Sequence, residues 1–469
     1  MSYEDLDPLF HPRSIALVGI TTTNPEHWTR TFLDSLLEFK FKGQIYLVNP
    51  KGGEIKGLKV YPSLKDIPGT VDYVIGLVPA PLAPQLVKES ATKGAKAIHF
   101  CTAGFSETGE EEGINLEKDL TRLAQEEGIR IIGPNCMGLY CPKSNFSFAP
   151  DFPKESGTVG YISQSGGNSI ALVKQAKWRG VRFSKVVSYG NACDLNESDF
   201  LEYLTDDPET KIIAVYIEGV KDGKRFRQVL ERAAKEKPVV LLKGGITEGG
   251  TRAVAGHTGA LAGSEVIWDS LCRQLGVIRV YSLGEIIDVL VTLLFLPHLK
   301  GGNVALVGLG GGASVLITDE CERRGLKVPP LPQELKERIQ RLIPEAGNIF
   351  RNPVDYSQTA MEAEKLARVI EVLSQWEEID FLIGFLRPGQ APGIRRTQFP
   401  QIMEALLEAS KAASKPIAII IEPDISPGGA EGTVSFIQKF VSAGLPVYHS
   451  FASAANAISL SLRYNKLRR

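Results

Sequence analysis

The chain has 469 residues, too many for one ordinary core and enough for about three domains of roughly 150 residues each. A formal net charge of −1 lacks the basic footprint of a nucleic-acid binder, and 43% apolar with 23% charged residues is the composition of a water-soluble globular protein. The longest apolar stretch, near Ile286 to Leu296, carries Asp288 and is too short to cross a bilayer.

The chain starts Met-Ser-Tyr-Glu-Asp-Leu-Asp, which has no signal-peptide pattern. Cys101, Cys136, Cys141, Cys193, Cys272 and Cys321 are scattered without CxxC pairs. Together these features predict a cytoplasmic protein with reduced thiols, no metal site and no membrane contact.

Short β-branched runs alternate with amphipathic helical stretches from end to end. Ser14–Gly19, Gln44–Asn49, Tyr73–Val78, Ala97–Phe100 and Arg130–Ile132 are predicted strands, with helices such as Thr31–Phe39 and Pro84–Lys93 between them. A second set comprises Thr158–Ser163, Phe183–Ser188, Ile212–Ile217 and Pro238–Leu242. A third comprises Asn303–Val307, Phe381–Leu386, Pro416–Ile421 and Pro446–Tyr448. Such alternation predicts parallel sheets covered on both faces, hence an α/β protein of three doubly wound domains. The polar stretch Asp151–Gly157 and Gly301-Gly302 mark the seams, giving domains 1–148, 149–299 and 300–469.

In doubly wound sheets ligands bind beyond the carboxyl ends of the strands. The first-domain strand ends read Gly19-Ile20-Thr21, Val48-Asn49-Pro50-Lys51, Val78-Pro79-Ala80-Pro81, Cys101-Thr102-Ala103-Gly104 and Gly133-Pro134-Asn135-Cys136-Met137-Gly138. These are turn residues that permit close backbone approach, and Lys51 can neutralise a phosphate. The second domain opens with Ser163-Gln164-Ser165-Gly166-Gly167-Asn168 before an apolar helix. Free N–H groups at a helix N-terminus suit an anion, although simple N-capping is the commoner role for serines placed like Ser163 and Ser165.

Glu218 follows the strand Ile212–Ile217. A carboxylate there can hold an imidazole N–H and leave the other ring nitrogen free to attack. The imidazole on offer is His257, in Gly256-His257-Thr258-Gly259-Ala260-Leu261-Ala262-Gly263, after Lys243-Gly244-Gly245 at the end of an apolar strand. The glycines predict a loop with little packing around the histidine.

His257 in its glycine frame, the Ser163–Asn168 loop, Glu218 and Gly133–Gly138 occur in an order that resembles the α subunit of ADP-forming (NDP-forming) acyl-CoA synthetases, relatives of succinyl-CoA synthetase. The resemblance implies a Rossmann-like CoA-binding domain followed by two flavodoxin-like ligase domains. Gly308-Leu309-Gly310-Gly311-Gly312-Ala313 and Asn352-Pro353-Val354-Asp355 correspond to landmarks of the last. It implies that acyl-CoA and phosphate give acyl phosphate and free CoA, that the phosphoryl group passes to His257, and that ADP on a partner then receives it.

By the same resemblance Glu218 orients the histidine, and Ser163, Ser165, Gly166 and Gly167 cradle its phosphate. Coenzyme A falls to Gly19, Thr21, Lys51, Val78, Pro79, Thr102, Ala103, Asn135 and Cys136, with Asn135 and Cys136 near the thiol and Lys51 beside the nucleotide half. No ATP-grasp region and no Walker A run is present, so nucleotide is expected on a second polypeptide. The resemblance implies that this is an ATP-grasp β subunit holding ADP/ATP with Mg2+, in an α2β2 hetero-tetramer with an α–α contact, and that the substrates are a small carboxylic acid and its acyl-CoA.

One departure stands out. Thr29, preceded by Trp28, occupies the place of the glycine that opens the first helix, so a side chain is expected where backbone should approach pyrophosphate. Thr21, Thr22 and Thr23 offer hydroxyls as an alternative. Gly256 also stands where serine is usual. The alternative reading is a non-catalytic CoA- or acyl-CoA-binding protein of the same fold. A nicotinamide-dependent dehydrogenase is disfavoured by the missing GxGxxG and by Asn49-Pro50-Lys51 after the second strand.

Overall fold

The computed structural model describes residues 3–258, 264–296, 299–308, 310–343, 349–356, 363–386, 399–422 and 429–468. Gly259–Gly263 and Leu309, singled out above, lie outside the described residues. All the strands expected from β-branched runs are present, within a residue or two of their expected ends.

The chain folds as two compact units. The first comprises residues 1–177 and 182–286 and holds two sheets; the second comprises residues 178–181 and 287–469 and holds one. In the first sheet the strands are β1 (Ser14–Val18), β2 (Gln44–Val48), β3 (Gly53–Ile55), β4 (Leu58–Tyr61), β5 (Tyr73–Gly76), β6 (Ala97–Phe100) and β7 (Arg130–Ile132). Their spatial order is β3-β4-β2-β1-β5-β6-β7. Every residue of β1, β5 and β6 is buried, as their near-continuous apolar sequences require in a sheet covered on both faces.

The second sheet contains β8 (Gly138–Tyr140), β9 (Val159–Ser163), β10 (Phe183–Ser188), β11 (Ile212–Ile217), β12 (Val239–Lys243) and β13 (Ile278–Val280), in the order β13-β12-β11-β9-β10-β8. The second unit's sheet contains β14 (Val304–Gly308), β15 (Ile349–Phe350), β16 (Val354–Asp355), β17 (Phe381–Leu386), β18 (Ile417–Ile421) and β19 (Val447–Tyr448), in the order β15-β16-β14-β17-β18-β19. The protein is therefore α/β, with three sheets of doubly wound order. The sequence pattern missed β3, β4, β8, β13, β15 and β16, all of two to four residues. Of these β3, β8 and β15 pair antiparallel, at or next to sheet edges. Strand β8 lies before residue 148 in sequence yet pairs with β10, so the chain enters the second sheet directly after the loop that ends β7.

In each sheet of the first unit the winding direction reverses once. The reversal falls between β1 and β5 in one and between β9 and β11 in the other. Crevices form at such switch points because the loops on either side turn away in opposite directions. At the first of them Gly19 has φ +95°, and a Cβ there would lie 2.8 Å from the carbonyl of Leu77. Only glycine fits.

The two sheets are stitched together by main chain. Asn191 N–H bonds the Pro134 carbonyl at 3.0 Å, Cys193 N–H bonds the Gly133 carbonyl at 2.9 Å, and Leu195 N–H bonds the Ile131 carbonyl at 3.1 Å. Gly190 sits in this seam at φ +54°, with the Pro134 and Asn135 carbonyls occupying the space of a Cβ. Gly190→Ala is expected to cost about 2 kcal/mol or more, through a clash with backbone together with left-handed strain. Urea denaturation followed by far-UV circular dichroism checks this as a lowered midpoint for the first unit.

Candidate active site

The second switch point collects the chemistry. Glu218 directly follows β11, and its side chain is only 2% exposed. A buried carboxylate needs partners for its charge. His257 Nδ1 lies 2.9 Å from Oε1 and 3.0 Å from Oε2, and the Tyr216 hydroxyl donates to Oε1 at 3.0 Å. A carboxylate only accepts, so Nδ1 carries the proton and donates it. Nε2 then holds the ring's lone pair, and it has no partner among the described residues. The imidazole itself is 50% exposed. The hydrogen bond to Glu218, opposed by partial burial and helped by the carboxylate's charge, raises the His257 pKa above its ordinary 6.5.

His257 itself does not sit in the loop expected from the glycines around it. His257 sits in the last turn of the helix Glu248–Thr258. The small residues Gly249, Gly250, Ala253 and Ala255 are helix positions, and the helix lies against the short turn Ser106–Thr108. The helix and the bond to Glu218 fix the position of a histidine that the sequence suggested was loose. A cationic imidazole in the last turn is also favoured by the helix dipole.

Glu218 is held from both sides by main-chain bonds. Gln164, the residue after β9, is 3% exposed, and its side-chain oxygen accepts from Glu218 N–H at 2.7 Å and from Gly219 N–H at 3.1 Å. Lys243 Nζ, at the end of β12, donates to the Glu218 carbonyl at 2.7 Å. Gln164, Tyr216 and Lys243 were not assigned roles from sequence. A signal was available. Tyr216 carries the one polar side-chain atom in the apolar run Ile212–Ile217, and Gln164 lies inside a loop already singled out.

The anion-suited loop is formed as expected in outline but not in every side chain. Ser163 is fully buried, and its hydroxyl donates to the Ser165 carbonyl at 2.7 Å and accepts from Ser165 N–H at 3.3 Å. It shapes the turn from within and does not open onto the crevice. Ser165 Oγ accepts from Asn168 N–H at 3.3 Å, which is the capping role. The helix Gly166–Lys177 starts here, and its first two N–H groups, on Gly166 and Gly167, point beyond its N-terminus. A Cβ on Gly167 would meet only Ser165 Oγ, at 4.0 Å, so space is open on that side.

In the first crevice, the Thr102 hydroxyl bonds the Val78 carbonyl at 2.5 Å, tying the ends of β5 and β6. Asn49 bonds the Ile20 carbonyl at 2.9 Å and accepts from Lys51 N–H at 2.9 Å, which leaves the Lys51 side chain exposed. Pro79 and Ala103 line the same strand ends. Cys136 differs from its expected role beside a ligand's thiol. It is 3% exposed, its Sγ faces the carbonyls of Ile132 and Phe100, and burial pushes its pKa well up. Asn135 is better placed. In a left-handed conformation at φ +57°, its amide donates to the His257 carbonyl at 3.3 Å and to Asn191 Oδ1 at 3.4 Å. Asn191 is fixed in turn by Glu107 and Glu117, at 2.5 and 2.9 Å.

The departure at Thr29 is also resolved. Thr29 is 2% exposed, and its Oγ1 accepts from Thr21 N–H at 3.2 Å and meets His27 Nδ1 at 3.0 Å. Its side chain closes the 21–29 loop from inside, whereas the neighbouring Trp28 is 49% exposed. The Thr21 N–H is thus occupied within the loop, and its hydroxyl accepts from Asn24 N–H at 3.5 Å.

Residues 13–142 match a family model described as a CoA binding domain, and residues 156–293 match one described as a succinyl-CoA ligase like flavodoxin domain. The chain is 37% identical over 413 residues to the subunit alpha of ADP-forming acetate–CoA ligase II of Pyrococcus furiosus, covering 88% of this chain and 89% of that one. It is 35% identical over 464 residues to ADP-forming acetate–CoA ligase I of Archaeoglobus fulgidus, covering 98% of this chain and 64% of the relative's length. Among solved structures, the dinucleotide-forming acetyl-coenzyme A synthetase 1 of Ca. Korarchaeum cryptofilum, in complex with phosphate and ADP, superposes with a TM-score of 0.82 at 31% identity. That match covers 99% of this chain and 97% of the other.

The hydrogen bond between His257 and Glu218 has a consequence that needs no ligand. Glu218→Gln keeps an acceptor but removes the charge that favours imidazolium. His257 in the variant is expected to titrate back toward the ordinary imidazole value of about 6.5. NMR titration of its ring protons checks this; an unchanged titration disproves the coupling.

Proposed function

The chain belongs to the ADP-forming acetate–CoA ligase family, and on that premise we propose that it is the α subunit of an ADP-forming acyl-CoA synthetase that carries phosphate on His257. The observation that carries the reading is the Glu218–His257 Nδ1 hydrogen bond beside the N-terminus of the helix Gly166–Lys177. Acyl-CoA and phosphate give acyl phosphate and CoA. His257 Nε2 then attacks phosphorus, the N–P bond forms, and the P–O bond to the carboxylate leaving group breaks. ADP, with Mg2+ on an ATP-grasp β subunit, takes the phosphoryl group from Nε2, and the cycle runs in either direction.

The chain's own residues do three things in this scheme. Glu218 fixes the tautomer that presents Nε2 and stabilises the positive charge that grows on the ring as the N–P bond forms. The N–H groups of Gly166 and Gly167, with the Ser165 hydroxyl and the helix dipole, seat the phosphoryl oxygens; Ser163 shapes that seat. The crevice between β1 and β5 takes coenzyme A, with backbone approach at Gly19, Lys51 beside the phosphates and Asn135 toward the thiol end. The assembly we assign is α2β2 with an α–α contact, in the cytoplasm, acting on a small carboxylic acid. The segments 1–148, 149–299 and 300–469 are its CoA-binding, phosphohistidine and third α/β domains. Among the described residues no helix is long and apolar enough to cross a membrane. The intact His257–Glu218 pair favours catalysis over CoA binding alone.

The reactive imidazole is the neutral one. Because Glu218 raises the His257 pKa, phosphorylation from acyl phosphate is expected to increase with pH through a value above 6.5 and to be lost on acidification. With the β subunit and radiolabelled ATP, the chain is expected to take up an acid-labile, base-stable label. His257→Ala is expected to lose both label and turnover while keeping its circular dichroism spectrum. Normal turnover by His257→Ala overturns the proposal.

A further inference from the structure

Lys243 is the last residue of β12 and is 2% exposed. A lysine buried to that degree has lost its water and needs acceptors for its protons. Lys243 Nζ donates to the Glu218 carbonyl at 2.7 Å and to the Gly244 carbonyl, and it lies 5.6 Å from the centre of the Trp268 ring. The reaction proposed above gives this cation no part. What it does touch is the main chain of the residue whose carboxylate aims the imidazole. Gln164 grips the same residue on its N–H side, so the peptide groups before and after the Glu218 Cα are both fixed by buried side chains.

We propose that Lys243 is a positioning residue for phosphoryl transfer at His257: its ammonium locks the Glu218 carbonyl and thereby sets the carboxylate against Nδ1. The inference rests on the phosphohistidine reading for its kinetic consequence but not for its geometry.

The groups that face Lys243 come from three neighbours. The end of strand β11 contributes Glu218, strand β13 contributes Arg279, which Asp269 holds at 3.3 Å, and the helix Glu265–Leu275 contributes the Trp268 ring. Burial first, and the like charge of Arg279 second, push Lys243 down to about 8, against a smaller opposing pull from Glu218. The ammonium is therefore complete below that pH and lost above it. A neutral amine donates more weakly than an ammonium, so alignment of Glu218 loosens as Lys243 loses its proton. The reaction thus gains an alkaline limb near pH 8 besides the acidic limb set by His257.

The test uses Lys243→Met, which removes a buried charge without adding bulk, and Lys243→Arg, which keeps the charge at every accessible pH. With the β subunit and radiolabelled ATP, the parent's rate of His257 labelling is expected to fall above about pH 8. Lys243→Met is expected to be slower by about tenfold at neutral pH and to lack that fall. Lys243→Arg is expected to recover rate at high pH relative to the parent. The second readout is the His257 titration by NMR in the chain without its partner. If Lys243 were only a nearby positive charge, removing it would raise the His257 pKa. If it aligns Glu218, removing it lowers that pKa, because the carboxylate drifts from Nδ1. A lowered value supports the inference; an unchanged or raised one overturns it, as does a Lys243→Met variant that keeps the parent's rate within about twofold and its alkaline limb. The titration decides positioning even if the parent takes no label, an outcome that sinks the phosphohistidine reading alone.

Discussion

A carboxylate buried to 2% exposure at the end of β11 is the constraint around which the first unit is arranged. An unpaired charge at such depth costs several kcal/mol, so Glu218 demands donors. Tyr216 supplies one from the same strand and His257 supplies the other from the helix Glu248–Thr258, beyond the next strand. The Glu218 main chain is fixed independently by Gln164 and Lys243. The carboxylate therefore cannot relax toward solvent, and the imidazole has one favourable orientation, with Nδ1 inward.

That arrangement depends on topology. Strands β9 and β11 are neighbours in space, with Ser163 opposite Tyr216, although they are separated in sequence by β10 and two helices. The switch point between them brings the helix N-terminus at Gly166 and the carboxylate at Glu218 to one crevice, with Gln164 bridging the two. The loops after β6 and β7 of the first sheet are tied to the second sheet through Asn135, Asn191, Glu107 and Glu117. Asn135 reaches the carbonyl of His257 itself. In the proposed cycle, the histidine that receives the phosphoryl group thus sits on a helix already fastened to the first sheet's last loop.

Much of this was legible in the sequence, and what was not has physical reasons. Apolar runs of four to six residues located the long parallel strands because both their faces are buried. Strands such as β3 and β16 are too short or too polar to leave a periodic trace. Glu218 and His257 were legible as chemistry, since each sits after a strand or near glycines. The local conformation at His257 was not, because Gly249, Gly250 and Gly256 argue against a helix by propensity while tertiary packing against the Ser106–Thr108 turn holds one. Thr29 was read as an obstruction because its side-chain direction is invisible in sequence; folded, its hydroxyl is an internal acceptor for Thr21. Cys136 and Ser163 differ from expectation for the same reason: both turn their side chains into the interior.

The central claim is that Glu218 occupies Nδ1 and so dictates which nitrogen reacts. The measurement that reaches it most directly is the ring position of the phosphoryl group on His257, read by correlating phosphorus with ring nitrogens and protons in NMR of the freshly labelled chain. Phosphate on Nε2, with Nδ1 still protonated, is the result the account predicts. Phosphate on Nδ1 would require the hydrogen bond to Glu218 to be absent in the reacting state, and would contradict it.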